Sequence, residues 1–226
     1  PPRSTLSSSS AASDVYKRQE KVKIGRLLFH DKILSANRNI SCATCHNHDF
    51  GGSDGLSLGI GEGGEGLGPK RTAGVGDDKI KKRIPRNSLA LWNLGFKDIN
   101  TLLHDGRVTK SNIFGNNFNT PAQEALPKGL DNIVAVQALF PMTRQFEMAG
   151  NPGENEIIGL VSKVGKDSMR IDRVWPVITH RIRGIPEYVE LFKNAFDDVN
   201  SPLDIDITPV SYTHLRAHET RGNLVC

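Results

Sequence analysis

The chain has 226 residues, a formal net charge of +4 and 24% charged residues. That length suffices for one sizeable core, and no apolar run reaches the roughly 20 residues of a membrane span. Aromatic residues make up 6% while glycine occurs 22 times, the composition of a chain with long loops and room in its core for a large apolar group.

The two ends lack the apolar periodicity of the middle. SSAASDVYKRQ, Ser9 to Gln19, resembles a translated reading frame of a sequencing-library adapter. VSYTHLRAHET, Val210 to Thr220, resembles the adapter of the opposite end, and RGNLVC follows it. On this reading residues 1–19 and 210–226 are artefactual and the native segment is 20–209. The ends carry five basic and two acidic residues of the 29 and 25 in the chain, so 24 and 23 remain and the segment is nearly neutral. A sequence pI near 9.0 is then no argument for nucleic acid. The only native cysteines are Cys42 and Cys45.

In chain order the pattern is one of helices joined by loops. EKVKIGRLLFHD predicts a helix with Val22, Ile24, Leu27 and Leu28 on its apolar stripe. SCATCHNH predicts a short helix with Ser41 at its N-cap. Residues 51–76 contain eleven glycines in 26 positions and predict an irregular loop. NSLALWNLGF reads as a helix, and LDNIVAVQALFP as another that Pro141 ends. GENEIIGLVSKVG is a further helix, SMRIDRVWPVITHRIRGI one that Pro176 kinks or restarts, and PEYVELFKNAFDDV one with proline in its first turn. Alternating strand patterns are nearly absent, so the expected fold class is all-α, with Trp92 and Trp175 in the core.

Cys42, Cys45 and His46 form C-x-x-C-H. A thioredoxin-like redox pair wants a βαβ context that the pattern lacks. Zinc wants about four ligands, and there is no second cysteine pair; His48 lies only two residues beyond His46. A disulfide across two intervening residues would close a tiny loop and stabilise little. C-x-x-C-H is the attachment pattern of c-type haem: the thiols add to the porphyrin vinyl groups and the histidine supplies an axial nitrogen.

IGRLLFHDKILSANRNISCATCHNHDFGGSDGLSLGIGEG closely resembles the start of the bacterial di-haem cytochrome c peroxidase family, MauG-like enzymes included. PRNSLALWN, LLHDGRV, RQFEMAG and IPEYVELFKNAF are similar to its later motifs, in order, across nearly all of 20–209. The resemblance implies an N-terminal cytochrome-c-like domain with one covalent haem c that reduces hydrogen peroxide. A second haem, in a C-terminal domain beyond this chain, would take electrons from a small cytochrome c or cupredoxin. It also implies a periplasmic location, no nucleic-acid partner, and a homodimer for the complete protein. The alternatives are an electron-transfer c-type cytochrome and a MauG-like oxidase acting on a protein.

Residue by residue, the resemblance makes His46 the proximal ligand and Glu147 the distal acid–base group. Glu62 stands where many members have a haem-capping histidine. It leaves the iron face open, or it is a solvated loop charge. His104 stands where the family usually has a tryptophan between the haems, and reads as a packing residue, an iron ligand or a buried hydrogen-bonded histidine. Asn87 matches a calcium-site asparagine. His30, His48 and His180 read as structural.

Overall fold

The computed structural model describes residues 8–92, 94, 96, 98–157 and 171–212. The first helix, α1, runs Ser8–His30, beginning well before Gln19. It buries Ile24, Leu28 and Phe29, while Leu27 is 45% exposed. The buried stripe follows the i, i+4 pair 24 and 28, which places residue 27 on the solvent side. Asp31 ends the helix and starts the next turn, its Oδ1 accepting from the Ile33 N–H at 2.9 Å. The Cys42–Cys45 helix, α2, follows.

The other described α-helices are α3 (Ile133–Ala138), α4 (Val174–Arg183) and α5 (Pro186–Ala195). Asn132 caps α3 by accepting from the Val134 N–H at 2.8 Å, and a 3-10 turn at Pro141–Thr143 follows it. Pro176 falls in the first turn of α4, where its missing N–H has no intrahelical partner to lose, so it begins the helix rather than kinking it. Pro186 does the same for α5.

α1 packs against α5. The Tyr188 hydroxyl donates to Asp31 Oδ2 at 2.7 Å, and Lys21 Nζ lies 4.5 Å from the centre of the Phe196 ring. Lys17 forms an ion pair with Asp197. Ile24, Leu28, Leu34, Leu139, Ile178 and Phe192 are all fully buried in the shared core, each contributing roughly 1.5–3 kcal/mol of hydrophobic stabilisation. The core continues past Pro209. Val210 and Ser211 are buried, and the Tyr212 hydroxyl donates to the Gly129 carbonyl at 3.0 Å.

The described residues are mostly helical, as the all-α expectation has it, with a small sheet added. Three short strands, β1 (Thr101–Leu102), β2 (Val108–Lys110) and β3 (Phe118–Asn119), form an antiparallel sheet in that order, with Leu102 opposite Val108 and Lys110 opposite Phe118. Strands of two or three residues cannot show alternation in a sequence. Residues 87–96 are not helical among the described positions. Trp175 is buried and donates to the Leu139 carbonyl at 2.9 Å, but Trp92 is only half-buried. The helix expected over 153–165 lies largely outside the described residues.

Candidate functional site

α2 is a single turn closed at its start by Ser41, whose N–H donates to Thr44 Oγ1 at 3.1 Å. The three-residue spacing puts both thiols on one face, and no disulfide joins them. Burial pushes the Cys42 thiol up to about 12 and the Cys45 thiol up to about 11. The His46 N–H closes the turn on the Cys42 carbonyl at 2.9 Å.

The His46 ring lies with Nδ1 3.2 Å from the Gly52 carbonyl oxygen. A carbonyl only accepts, so Nδ1 carries the proton and Nε2 keeps a lone pair for a ligand. Burial lowers the His46 pKa and keeps the ring neutral, the form that coordinates iron.

The turn that orients His46 is itself tied down. Ser88 Oγ accepts from the Asp54 N–H at 3.1 Å and donates to the Cys45 carbonyl at 2.8 Å. Ser53 Oγ donates to Asn87 Oδ1 at 2.6 Å. The expected calcium-site asparagine is thus exposed and bonded to a hydroxyl, and among the described residues no three His, Cys, Asp or Glu side chains group to hold a metal ion.

An open cleft of about 720 Å³ borders α2, its wall including Asn39, Ala43, Thr44, His46, Gly64 and Arg71. Arg71 is buried, and its guanidinium donates to three carbonyls of the glycine loop: Ile60 at 2.7 Å, Gly61 at 2.7 Å and Gly66 at 2.8 Å. Glycine is required at 61, where a Cβ would lie 1.9 Å from the Phe146 carbonyl oxygen. The glycine loop therefore packs main chain to main chain on the segment that carries Glu147.

That segment, Gln145–Ala149, is a single π-helical turn. Its Arg144 carbonyl accepts the N–H groups of Glu147, Met148 and Ala149 at 3.1, 3.1 and 3.0 Å. Wide turns of this kind occur often at functional sites. Burial raises the pKa of Glu147, with the positive charges of Arg144 and Arg107 opposing. Glu147 and Cys45 lie within electrostatic reach of each other.

Glu62 is buried, so it is no solvated loop charge. Its carboxylate accepts from Asn37 Nδ2 at 2.7 Å and Asn39 Nδ2 at 2.5 Å, and Asn37 Nδ2 also donates to Glu154 at 2.8 Å. His104 is corrected in the other direction. It is exposed, in the connection from β1 to β2, beside the Asp105–Arg107 ion pair at 2.6 Å, and not a buried histidine. His48 is exposed with its ring 5.4 Å from Trp92. Asp54, Arg71, Ser88 and Arg107 were not singled out as site residues. The signal for Asp54 was its place in GGSDGL, and for Ser88 its place after PRN.

Two free thiols one turn apart and a neighbouring imidazole whose Nδ1 lies against the Gly52 carbonyl fit covalent haem. The chain from residue 19 to residue 217 matches the di-haem cytochrome c peroxidase family, and it belongs to that family. It is 30% identical over 177 residues to methylamine utilization protein MauG of Methylorubrum extorquens, covering 78% of this chain and 32% of that one. It is 22% identical over 188 residues to cytochrome c551 peroxidase of Pseudomonas aeruginosa, covering 83% and 36%. Over 45 residues it is 51% identical to cytochrome c peroxidase Ccp of Escherichia coli, 20% of this chain and 10% of that one. The chain spans about a third of the length of the first and second of these relatives.

Proposed function

We propose that this chain is the peroxide-reducing part of a larger two-haem enzyme, with residues 20–209 as its native segment and haem c attached at Cys42 and Cys45. The enzyme reduces hydrogen peroxide with two electrons and two protons, giving two waters. The electrons come from a small cytochrome c or cupredoxin by way of a second haem elsewhere in the protein. Export to the bacterial periplasm goes with this reading.

When bound, the haem supplies the iron that takes up peroxide and stores oxidising equivalents. The chain's own residues do the rest. Gly52 fixes the His46 tautomer. Arg71 and the packing at Gly61 hold the glycine loop beside the Glu147 turn. Glu147 is the observation that carries the reading: a carboxyl group with a raised pKa, in a π-turn, near the haem-binding helix. Such a group takes the proton from one peroxide oxygen and returns it to the oxygen that leaves.

Met148 favours the peroxidase over a carrier cytochrome, because its side chain is packed among core residues. The 30% identity to MauG favours a second reading, an oxidase acting on a protein, which would leave oxidised side chains on its partner instead of consuming a reduced small cytochrome.

The test uses the complete haem-loaded protein. Glu147→Gln should slow the reaction with peroxide by roughly 10²–10⁴-fold at unchanged haem content. Undiminished reactivity in that variant defeats the assignment.

A further inference from the structure

Asp54 is fully buried, and its two oxygens differ. Oδ1 accepts from the Leu56 N–H at 3.0 Å. Oδ2 has no hydrogen-bond partner among the described residues. A buried carboxyl oxygen left without a partner is costly, and a negative charge held there is favoured only where a positive charge lies near. Arg71 is close enough to feel Asp54, but its guanidinium donates to the Ile60, Gly61 and Gly66 carbonyls instead. Asp54 is joined to the attachment helix through Ser88, which bridges the Asp54 N–H to the Cys45 carbonyl. It lies within electrostatic reach of both Cys45 and His46. The sequence places it in the same turn as Gly52, the acceptor for His46 Nδ1.

We propose that Asp54 is a positioning residue that supplies a buried negative charge to the haem site, stabilising the ferric over the ferrous state. It touches neither peroxide nor the reacting oxygens. Its effect is electrostatic: the oxidised iron–porphyrin core carries one more positive charge than the reduced one, and a fixed anion in a low-dielectric surrounding favours the more positive form. A site poised toward ferric iron is one that gives electrons to peroxide rather than storing them. This inference rests on haem attachment at Cys42 and Cys45.

The experiment measures the one-electron midpoint potential of the haem-loaded chain. Covalent haem content is determined first as the pyridine haemochrome, so loss of haem in the unmutated protein rejects the haem reading and not this one. With haem present, Asp54→Asn should shift the ferric-to-ferrous ratio about tenfold toward ferrous, a rise of about 59 mV for a one-electron couple. Asp54→Glu keeps the charge and should stay closer to the unmutated value. Arg71→Gln removes a buried cation and should move the potential downward. An Asp54→Asn protein with full haem and an unshifted potential overturns the proposal. Should that variant fail to mature, the unmutated protein still decides. Grown with ¹³C-carboxyl aspartate, its reduced-minus-oxidised infrared difference spectrum should contain an isotope-sensitive carboxylate band. Absence of that band overturns the proposal equally.

Discussion

The Glu62 N–H donates to the Glu147 carbonyl at 3.0 Å, joining by their main chains the two acidic residues that stand out in the glycine loop and the FEM segment. The Glu62 side chain turns to Asn37 and Asn39, while Glu147 stays near Cys45. The relationship separates the two carboxyl groups: Glu62 anchors the glycine loop, and Glu147 stands by the attachment helix, where the proposed proton role would need it.

Covalent haem is the first consequence to check. Protein matured with a c-type haem assembly system should keep its colour in the polypeptide after acid–acetone extraction. Replacing both Cys42 and Cys45 with alanine should release the haem into the solvent. Colour extractable from the unmutated protein refutes attachment.

The Glu62 carboxylate is held by two amide donors at 2.7 and 2.5 Å, each charge-assisted bond contributing about 1.5–3 kcal/mol. It should therefore stay in place when the haem is loaded, and the iron face opposite His46 should hold water or nothing. The oxidised spectrum of the complete protein should show a high-spin component at this haem. Glu62→His loses both anchors, gains an imidazole and should move the spectrum toward low-spin. A wholly low-spin resting haem in the unmutated protein rules this out.

Gly61→Ala should disturb the site without touching any ionisable group. The new methyl carbon would lie 1.9 Å from the Phe146 carbonyl oxygen, and the loop has to lift away from the Glu147 turn. Overpacking of this kind costs about 1–3 kcal/mol. A lower denaturant midpoint and a slower peroxide reaction should appear together, and wild-type values for both would contradict the packing described.

The raised pKa of Glu147 has a signed effect on stability. The folded state binds this proton more tightly than the unfolded chain does, so stability falls as pH rises through the window from the ordinary carboxylate range up to the raised value. The penalty is absent below that window and complete above it. Glu147→Gln should be more stable than the unmutated protein at neutral pH, with the difference vanishing in acid. Denaturant titrations of both proteins across pH measure it.

Arg181 ties three chain segments together, donating to the Ser35 carbonyl at 2.8 Å, the Ala36 carbonyl at 3.0 Å and Glu156 at 2.6 Å. The Ala36 N–H in turn donates to the Met148 carbonyl at 2.9 Å. Arg181→Ala leaves part-buried acceptors unsatisfied and should lower stability by about 1–3 kcal/mol, read as a shifted midpoint in urea. No shift would mean that water replaces the guanidinium without cost.

Much of this protein was legible without coordinates. Cys42, Cys45 and His46 stand out in the sequence because the thioether attachment and axial ligation proposed for them fix both residue type and spacing, which is local information. Helices α3, α4 and α5 were readable because a cap, a proline and an apolar period all act within a few residues. The sheet was not, since its strands gain their pairing from partners rather than from their own pattern. The burial of Glu62 was equally hidden, because the amides that hold it lie 25 and 23 residues away. The exposure of His104, and the orphan oxygen of Asp54, depend on what the rest of the chain packs or fails to pack around them. Sequence determined which groups could bind haem and move a proton. The tertiary structure decided which acids are buried, what faces them and where their charge acts, since desolvation and hydrogen bonding across the fold are properties of the packed chain and not of any segment of it.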